Sequence, residues 1–190
     1  MTTHPTGQAG SADIAQQARM DLLLAEFPLV NDHPDVAGLL RSPAGLAVIG
    51  AALAEPFRNA GVTVVCAPEA RGPILGALVA VELGVGLVLV RKAPRNHPGA
   101  DRHYVVGPTW RGTNEEFQAR SDDLSSDDRV LAVDDWITTG STLRAICTYV
   151  DSAGAEYAGA TVLVDKTSDA VRAELGVQSL LDFEAIMGRG

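Results

Sequence analysis

The sequence predicts an α/β protein built on a mainly parallel sheet flanked by helices on both faces. Three observations carry this expectation. Apolar runs of strand length alternate with helical patterns long enough to be crossovers. The strand runs are apolar at successive positions, as in strands covered on both faces. A chain of 190 residues that is 46% hydrophobic also buries roughly 70% of its unfolded surface as one domain, without disulfide or metal staples.

Met1 to Gly10 is polar and lacks the apolar stretch of a signal peptide, so a disordered tail is expected over 1–10, ahead of a single domain over 11–190. From Ser11 to Phe27, Ile14, Ala18, Leu22 and Ala25 recur at helical spacing and predict a helix covering part of the core. Ser42 and Pro43 supply a cap and a first-turn proline. Leu46, Ile49, Leu53 and Phe57 then make one apolar face, and Gly61 ends the helix. Val62 to Ala67 predicts a strand, Pro73 to Leu83 a helix and Leu87 to Val90 a second strand. Glu82 and three glycines interrupt the apolar stretch Ile74 to Val90, which argues against a membrane span. The polar segment after Arg91 is long for a connection and predicts a flexible loop or β-ribbon over about 93–128. Regularity returns with a strand at Arg129 to Val133, a helix at Ser141 to Ala153 and a strand at Ala160 to Val164. A short helix at Asp169 to Leu175 and a strand at Gln178 to Leu181 complete the pattern.

Charge narrows the partners. With 15 basic and 24 acidic residues the net charge is −9, which argues against a nucleic-acid or anionic-membrane partner but leaves room for a local basic site. Cys66 and Cys147 lie in apolar runs without metal-ligand spacing and read as reduced core thiols of a cytoplasmic protein. His97 and His103 have no partner at metal-ligand spacing and read as loop histidines.

Ligands of open α/β sheets bind outside the carboxyl ends of the strands. The segment Val130 to Thr142, VLAVDDWITTGST, is such an end. Thr138, Thr139, Ser141 and Thr142 offer hydroxyls and Gly140 allows close backbone approach. The following helix presents amides and a positive dipole end, so together they suit a phosphate monoester. Asp134 and Asp135 repel a phosphate, but can accept sugar hydroxyls and hold a hydrated Mg²⁺ in its outer shell.

This segment resembles the 5-phosphoribosyl-1-pyrophosphate (PRPP) signature of type I phosphoribosyltransferases. The loop PEARG, Pro68 to Gly72, is similar to the pyrophosphate loop of the adenine and xanthine branch. The resemblance implies that Glu69, Ala70, Arg71 and Gly72 surround pyrophosphate, that a strained peptide lies in this loop, and that Arg91 and Lys92 face the same group. It implies a type I phosphoribosyltransferase fold, a homodimer, and Mg²⁺ carried by PRPP and water without direct protein ligands. Asp134, Asp135 and Arg71 are the implied catalytic residues, with Thr138 to Thr142 on the phosphate. Trp136, Ile137 and Lys166 are implied at the base, although Trp136 replaces a small aliphatic residue and fits equally a stacking face or a core filler. The mobile loop departs from the adenine pattern, with Arg111, Gly112 and Thr113 where a Tyr-Gly step is usual and Glu115 and Glu116 several residues late. Arg111 or Arg102 is left to reach pyrophosphate on closure.

The expected function is transfer of the phosphoribosyl group from PRPP to a purine in nucleotide salvage, with release of pyrophosphate. PEARG with Arg91-Lys92 suggests adenine, while Asp165-Lys166-Thr167 resembles the Glu-Lys-Ser of xanthine-type members. The alternative is a non-catalytic PRPP-binding regulator of the same fold. A phospho-receiver domain fails on position, because its acidic pair lies near the start of the domain.

Overall fold

The computed structural model describes residues 8–94, 97–107 and 115–188. Helix α1 (Gln8–Glu26) precedes a two-stranded hairpin, β1 (Leu29–Val30) and β2 (His33–Pro34), and then helices α2 (Val36–Arg41) and α3 (Pro43–Ala54). There follow β3 (Val64–Pro68), α4 (Gly72–Leu83), β4 (Gly86–Lys92), β5 (Arg102–Val106) and β6 (Glu115–Ala119). The chain continues through β7 (Arg129–Ile137), α5 (Ser141–Ser152), β8 (Glu156–Asp165), α6 (Asp169–Glu174), β9 (Val177–Asp182) and α7 (Phe183–Met187).

The main sheet has seven strands in the order β5-β6-β4-β3-β7-β8-β9. Its five central and far strands, β4 to β9 across the sheet, run parallel. The ribbon β5/β6 is antiparallel and adds to β4 through Arg91 opposite Gln118 and Lys92 opposite Phe117. The polar middle segment therefore contains the β-ribbon that its length suggested. No described helix is long and apolar enough to cross a membrane.

Side chains alternate across each strand, so two cores form. Val64, Cys66, Val130 and Ala132 pack with Ile146 and Val150 of α5. Val65, Leu131, Val133 and Leu163 pack with Leu53 of α3, Leu75 and Val79 of α4, and Leu23 of α1. Cys66 is fully buried, which pushes its thiol up to about 12 and keeps it unreactive. Cys147 sits at the core edge rather than within it.

Several sequence expectations shift. The tail expected over 1–10 overlaps α1 by three residues, since Gln8 and Ala9 favour helix, while 1–7 lie outside the described residues. The buried face of α1 centres on Leu23, with Met20 and Leu24 half-buried beside it and Phe27 buried just past the helix end, rather than on the stripe through Ile14, which is 73% exposed. Gln16 joins this face by donating to the Ala52 carbonyl at 2.8 Å, a polar anchor that apolar periodicity does not register. Ser42 caps α3 as expected, accepting from the Gly45 amide at 3.2 Å. That helix gives way at Ala54 to a 3-10 turn, Glu55–Phe57, because Pro56 supplies no amide. Leu46 is left outside. His103 lies on β5, not in a loop, and contacts Glu116 across the ribbon.

Helix α4 presses closely on the sheet. A Cβ at Gly76 would lie 2.7 Å from Ala67 Cβ and 3.1 Å from Leu87 Cδ1. Alanine there gains about 1 kcal/mol of helix propensity yet must push α4 off β3, which costs about 1–3 kcal/mol. Gly76→Ala is expected to lower the urea midpoint. An unchanged midpoint would contradict this packing.

Candidate active site

Three strand ends converge at the carboxyl edge of the sheet. The first is β3, which ends at Pro68 and turns through Glu69 to Arg71 into α4, with a cis peptide between Glu69 and Ala70. Gly72 is needed for proximity: a Cβ there would lie 3.1 Å from the Val133 carbonyl oxygen and 3.3 Å from Asp134 Oδ1. Glu69 ties this turn to β4. Its amide donates to the Val90 carbonyl at 2.8 Å, Oε2 accepts the Lys92 amide at 3.1 Å, and Oε1 accepts Arg91 Nη2 at 3.4 Å. Glu69 thus positions the basic end of β4.

The second end is β7, which carries the acid pair out of the core. Arg71 Nε donates to Asp135 Oδ2 at 2.5 Å, joining the two loops. Asp135 is only 8% exposed, whereas half of the Arg71 side chain faces solvent. The Asp135 amide donates to Asp134 Oδ1 at 2.8 Å. Burial, and then repulsion from Asp135, hold the Asp134 carboxyl well above the usual carboxylate range; the Asp135 amide and Lys92 oppose this without cancelling it.

Beyond Ile137 the chain turns through Thr138, Thr139 and Gly140 into α5. Gly140 has φ +76°, the left-handed region that glycine adopts freely. Thr139 and Ser141 hydroxyls are hydrogen-bonded at 2.8 Å. The first-turn amides of a helix lack intrahelical acceptors, so the hydroxyls and α5 form a cradle of donors. Gly107, just after β5, approaches this turn, its Cβ position being 3.9 Å from Ser141 Oγ. Arg111, Gly112 and Thr113 lie outside the described residues. Arg102 sits at the ribbon base, exposed beside Asp101.

Trp136 and Ile137 point to opposite faces of β7. Ile137 is buried in the α5-side core and is not brought to the side of Trp136. Trp136 is half-buried, stacked on His33 at 5.6 Å with planes 10° apart, and tilted against Phe183 at 5.9 Å. Lys166, at the third strand end, donates its amide to the Ile137 carbonyl at 3.0 Å and places Nζ 3.9 Å from the centre of the Phe183 ring. His33 and Phe183 escaped the sequence reading. Asn31 and Asp32, both at positive φ, make the two-residue hairpin turn that presents His33, and this Asn-Asp step was the available signal.

The structure therefore brings Arg71, Glu69, Gly72, Arg91, Lys92, Asp134 and Asp135 to one cleft, with Thr138 to Thr142 beside it and Trp136 and Lys166 in an aromatic cluster. Residues 35–186 match the family described as phosphoribosyl transferase domain. Adenine phosphoribosyltransferase of Streptomyces coelicolor is 39% identical over 152 residues, covering 76% of this chain and 82% of its own. The adenine phosphoribosyltransferase of Methylococcus capsulatus is 37% identical over 156 residues, with 77% and 88% covered. Among solved structures, the Rhodothermus marinus adenine phosphoribosyltransferase superposes with a TM-score of 0.75 at 27% identity, over 88% of this chain and 99% of its own. The Giardia lamblia enzyme complexed with 9-deazaadenine gives 0.74 at 26% identity, over 86% and 97%. The fold and the strand-end cleft define the type I phosphoribosyltransferase class. The chain belongs to the phosphoribosyltransferase family, in its adenine-like branch.

The raised proton affinity of Asp134 fixes a sign. A carboxyl whose folded value lies above its unfolded value stabilises the fold at low pH and loses that contribution as pH rises through the folded value. Asp134→Asn is therefore expected to leave Tm nearly unchanged in acid and to raise it increasingly toward neutrality, by about 2–4 °C per kcal/mol. Turnover should fall about 100-fold. A variant less stable than wild type at neutral pH would contradict the assignment.

Proposed function

We propose that the chain transfers the 5-phosphoribosyl group from PRPP to adenine, forming the nucleoside monophosphate and pyrophosphate in cytoplasmic purine salvage. The observation that carries this reading is the acid pair Asp134–Asp135 set between the PEARG turn and the hydroxyl-rich turn. The names of the relatives support adenine as the base. PRPP is a ribose with a phosphate at one end and a pyrophosphate at the other, and the cleft offers a matching group for each part. Thr138 to Thr142 and the α5 amides take the 5′-phosphate. Asp134 and Asp135 accept the ribose hydroxyls, which favours the ionised form of Asp134. Arg71, Lys92 and the turn amides face the pyrophosphate, with Arg91 held alongside by Glu69.

A base nitrogen displaces pyrophosphate from C1′ through a centre with oxocarbenium character, so positioning and charge stabilisation carry the catalysis. Arg71 passes from Asp135 toward the leaving group as charge develops there. The two carboxylates also fit Mg²⁺, which favours oxygen donors and retains several waters, with Asp134 and Asp135 in its outer shell. When bound, that ion neutralises pyrophosphate charge.

For the base, Trp136 supplies the stacking face. His33, the exposed member of the cluster, gives way to it. Lys166 stands at the edge of this cluster, where a base carbonyl would also be met. A panel of purines and pyrimidines with PRPP tests the reading: adenine is expected to turn over fastest. PRPP binding without turnover of any base would return the regulatory alternative. Trp136→Ala should raise the KM for the base by about 5- to 150-fold, the loss of one stacking contact of about 1–3 kcal/mol, with the PRPP KM little changed.

A homodimer is part of the same proposal. Helix α4 is apolar apart from Glu82 near its end, close to the pattern of buried helices, yet Ile74, Ala77 and Val81 face outward, with Val81 81% exposed. A second copy of the chain covers this stripe. Val81→Glu is expected to shift the mass in light scattering from dimer to monomer; a wild-type monomer would contradict it.

A further inference from the structure

We propose that Arg144 and Glu174 are positioning residues for the phosphate turn, and that α6 acts as its brace. This rests on the reading of Thr138 to Thr142 as the 5′-phosphate site. The guanidinium of Arg144 is used in two directions at once. Its Nε and Nη2 donate to the two carboxylate oxygens of Glu174, each at 2.7 Å, while Nη1 donates to the Thr139 carbonyl at 2.8 Å. A peptide is planar and trans, so its C=O and N–H point in opposite directions. Holding the Thr139 carbonyl toward Arg144 therefore turns the Gly140 amide the other way, away from α6. Arg144 sets the direction of a backbone donor in the turn.

The brace is anchored at both ends. A Cβ on Gly140 would stand 2.8 Å from Val171 Cγ1 and 2.9 Å from Leu175 Cδ1, so α6 and the residue after it support the turn from behind. Arg172 of α6 donates Nε to Asp165 Oδ2 at 2.7 Å. Asp165 is 1% exposed at the end of β8 and lies opposite Ile137 in the sheet, and its Oδ1 accepts the Thr167 amide at 2.7 Å. The linkage thus runs from the buried sheet end through Arg172 and α6 to Glu174, Arg144 and the Thr139 carbonyl. Side-chain exposures of 43% for Arg144 and 50% for Glu174 mean that the pair contributes little to global stability. Its effect lies in the geometry of the turn.

Glu174→Gln separates positioning from simple charge attraction. The variant keeps the Arg144 cation and removes an anion near the phosphate site, so direct attraction predicts PRPP binding that is unchanged or tighter. Positioning predicts the opposite: a PRPP KM raised at least about 5-fold, with base KM, kcat and Tm close to wild type. Arg144→Gln should raise the PRPP KM similarly, and the double variant should be no worse than the more affected single, since both break one linkage. Thr142→Val serves as the reference for the underlying site. If Thr142→Val leaves the PRPP KM unchanged, the phosphate-site reading fails. If it raises the KM while Glu174→Gln leaves it unchanged or lowers it, the positioning role is overturned.

Discussion

Two adjacent carboxylates at the end of a buried strand are the constraint around which the site is built. Asp134 sits where burial, and then repulsion from Asp135, oppose ionisation, and the two carboxylates have different partners. Asp135 has a full ionic partner in Arg71, which at the same time closes the PEARG turn onto β7. Asp134 has one backbone amide and the more distant Lys92, so its carboxyl remains inclined to hold a proton. The free protein therefore holds Asp134 under electrostatic tension, which the ribose hydroxyls of the proposed substrate would relieve. Gly72 permits the close approach, because any side chain there would strike the Val133 carbonyl and Asp134.

The loops on either side are held by second interactions. Glu69 secures Arg91 and the Lys92 amide, so the cations at the end of β4 are set in place by an anion of the turn they serve. On the other side the phosphate turn is supported from α6. Both arrangements place a carboxylate behind a basic residue, which orients the cation without bringing the anion into the phosphate site. A chain of net charge −9 thus uses two of its acids, Glu69 and Glu174, to hold basic residues at this edge of the sheet.

Much of this was legible in the sequence because the signals are local. The strand VLAV, the acid pair and the hydroxyl turn occupy consecutive residues, and a strand-to-helix junction allows few geometries. PEARG was legible for the same reason. What escaped depends on contacts between distant segments. His33 meets Trp136 only because a short hairpin folds over β7, and Phe183 reaches the same ring from a helix of five residues. Two-residue strands and one-turn helices produce no periodicity to detect. The role of Glu69 depends on β4 lying beside β3, and that of Glu174 on α6 returning to the start of α5. The α1 stripe was misplaced because its contact surface mixes Gln16 with apolar residues.

In the proposed reaction, PRPP binding discharges the tension at Asp134. Calorimetric titration of Mg²⁺–PRPP in buffers of different ionisation enthalpy measures proton release directly, over about pH 5 to pH 8. Wild type is expected to release a fraction of a proton on binding, largest at pH values between those at which Asp134 titrates in the bound and in the free protein, and Asp134→Asn to release correspondingly less. Proton uptake by the wild type, or release that is identical in the two proteins at every pH, would contradict the account.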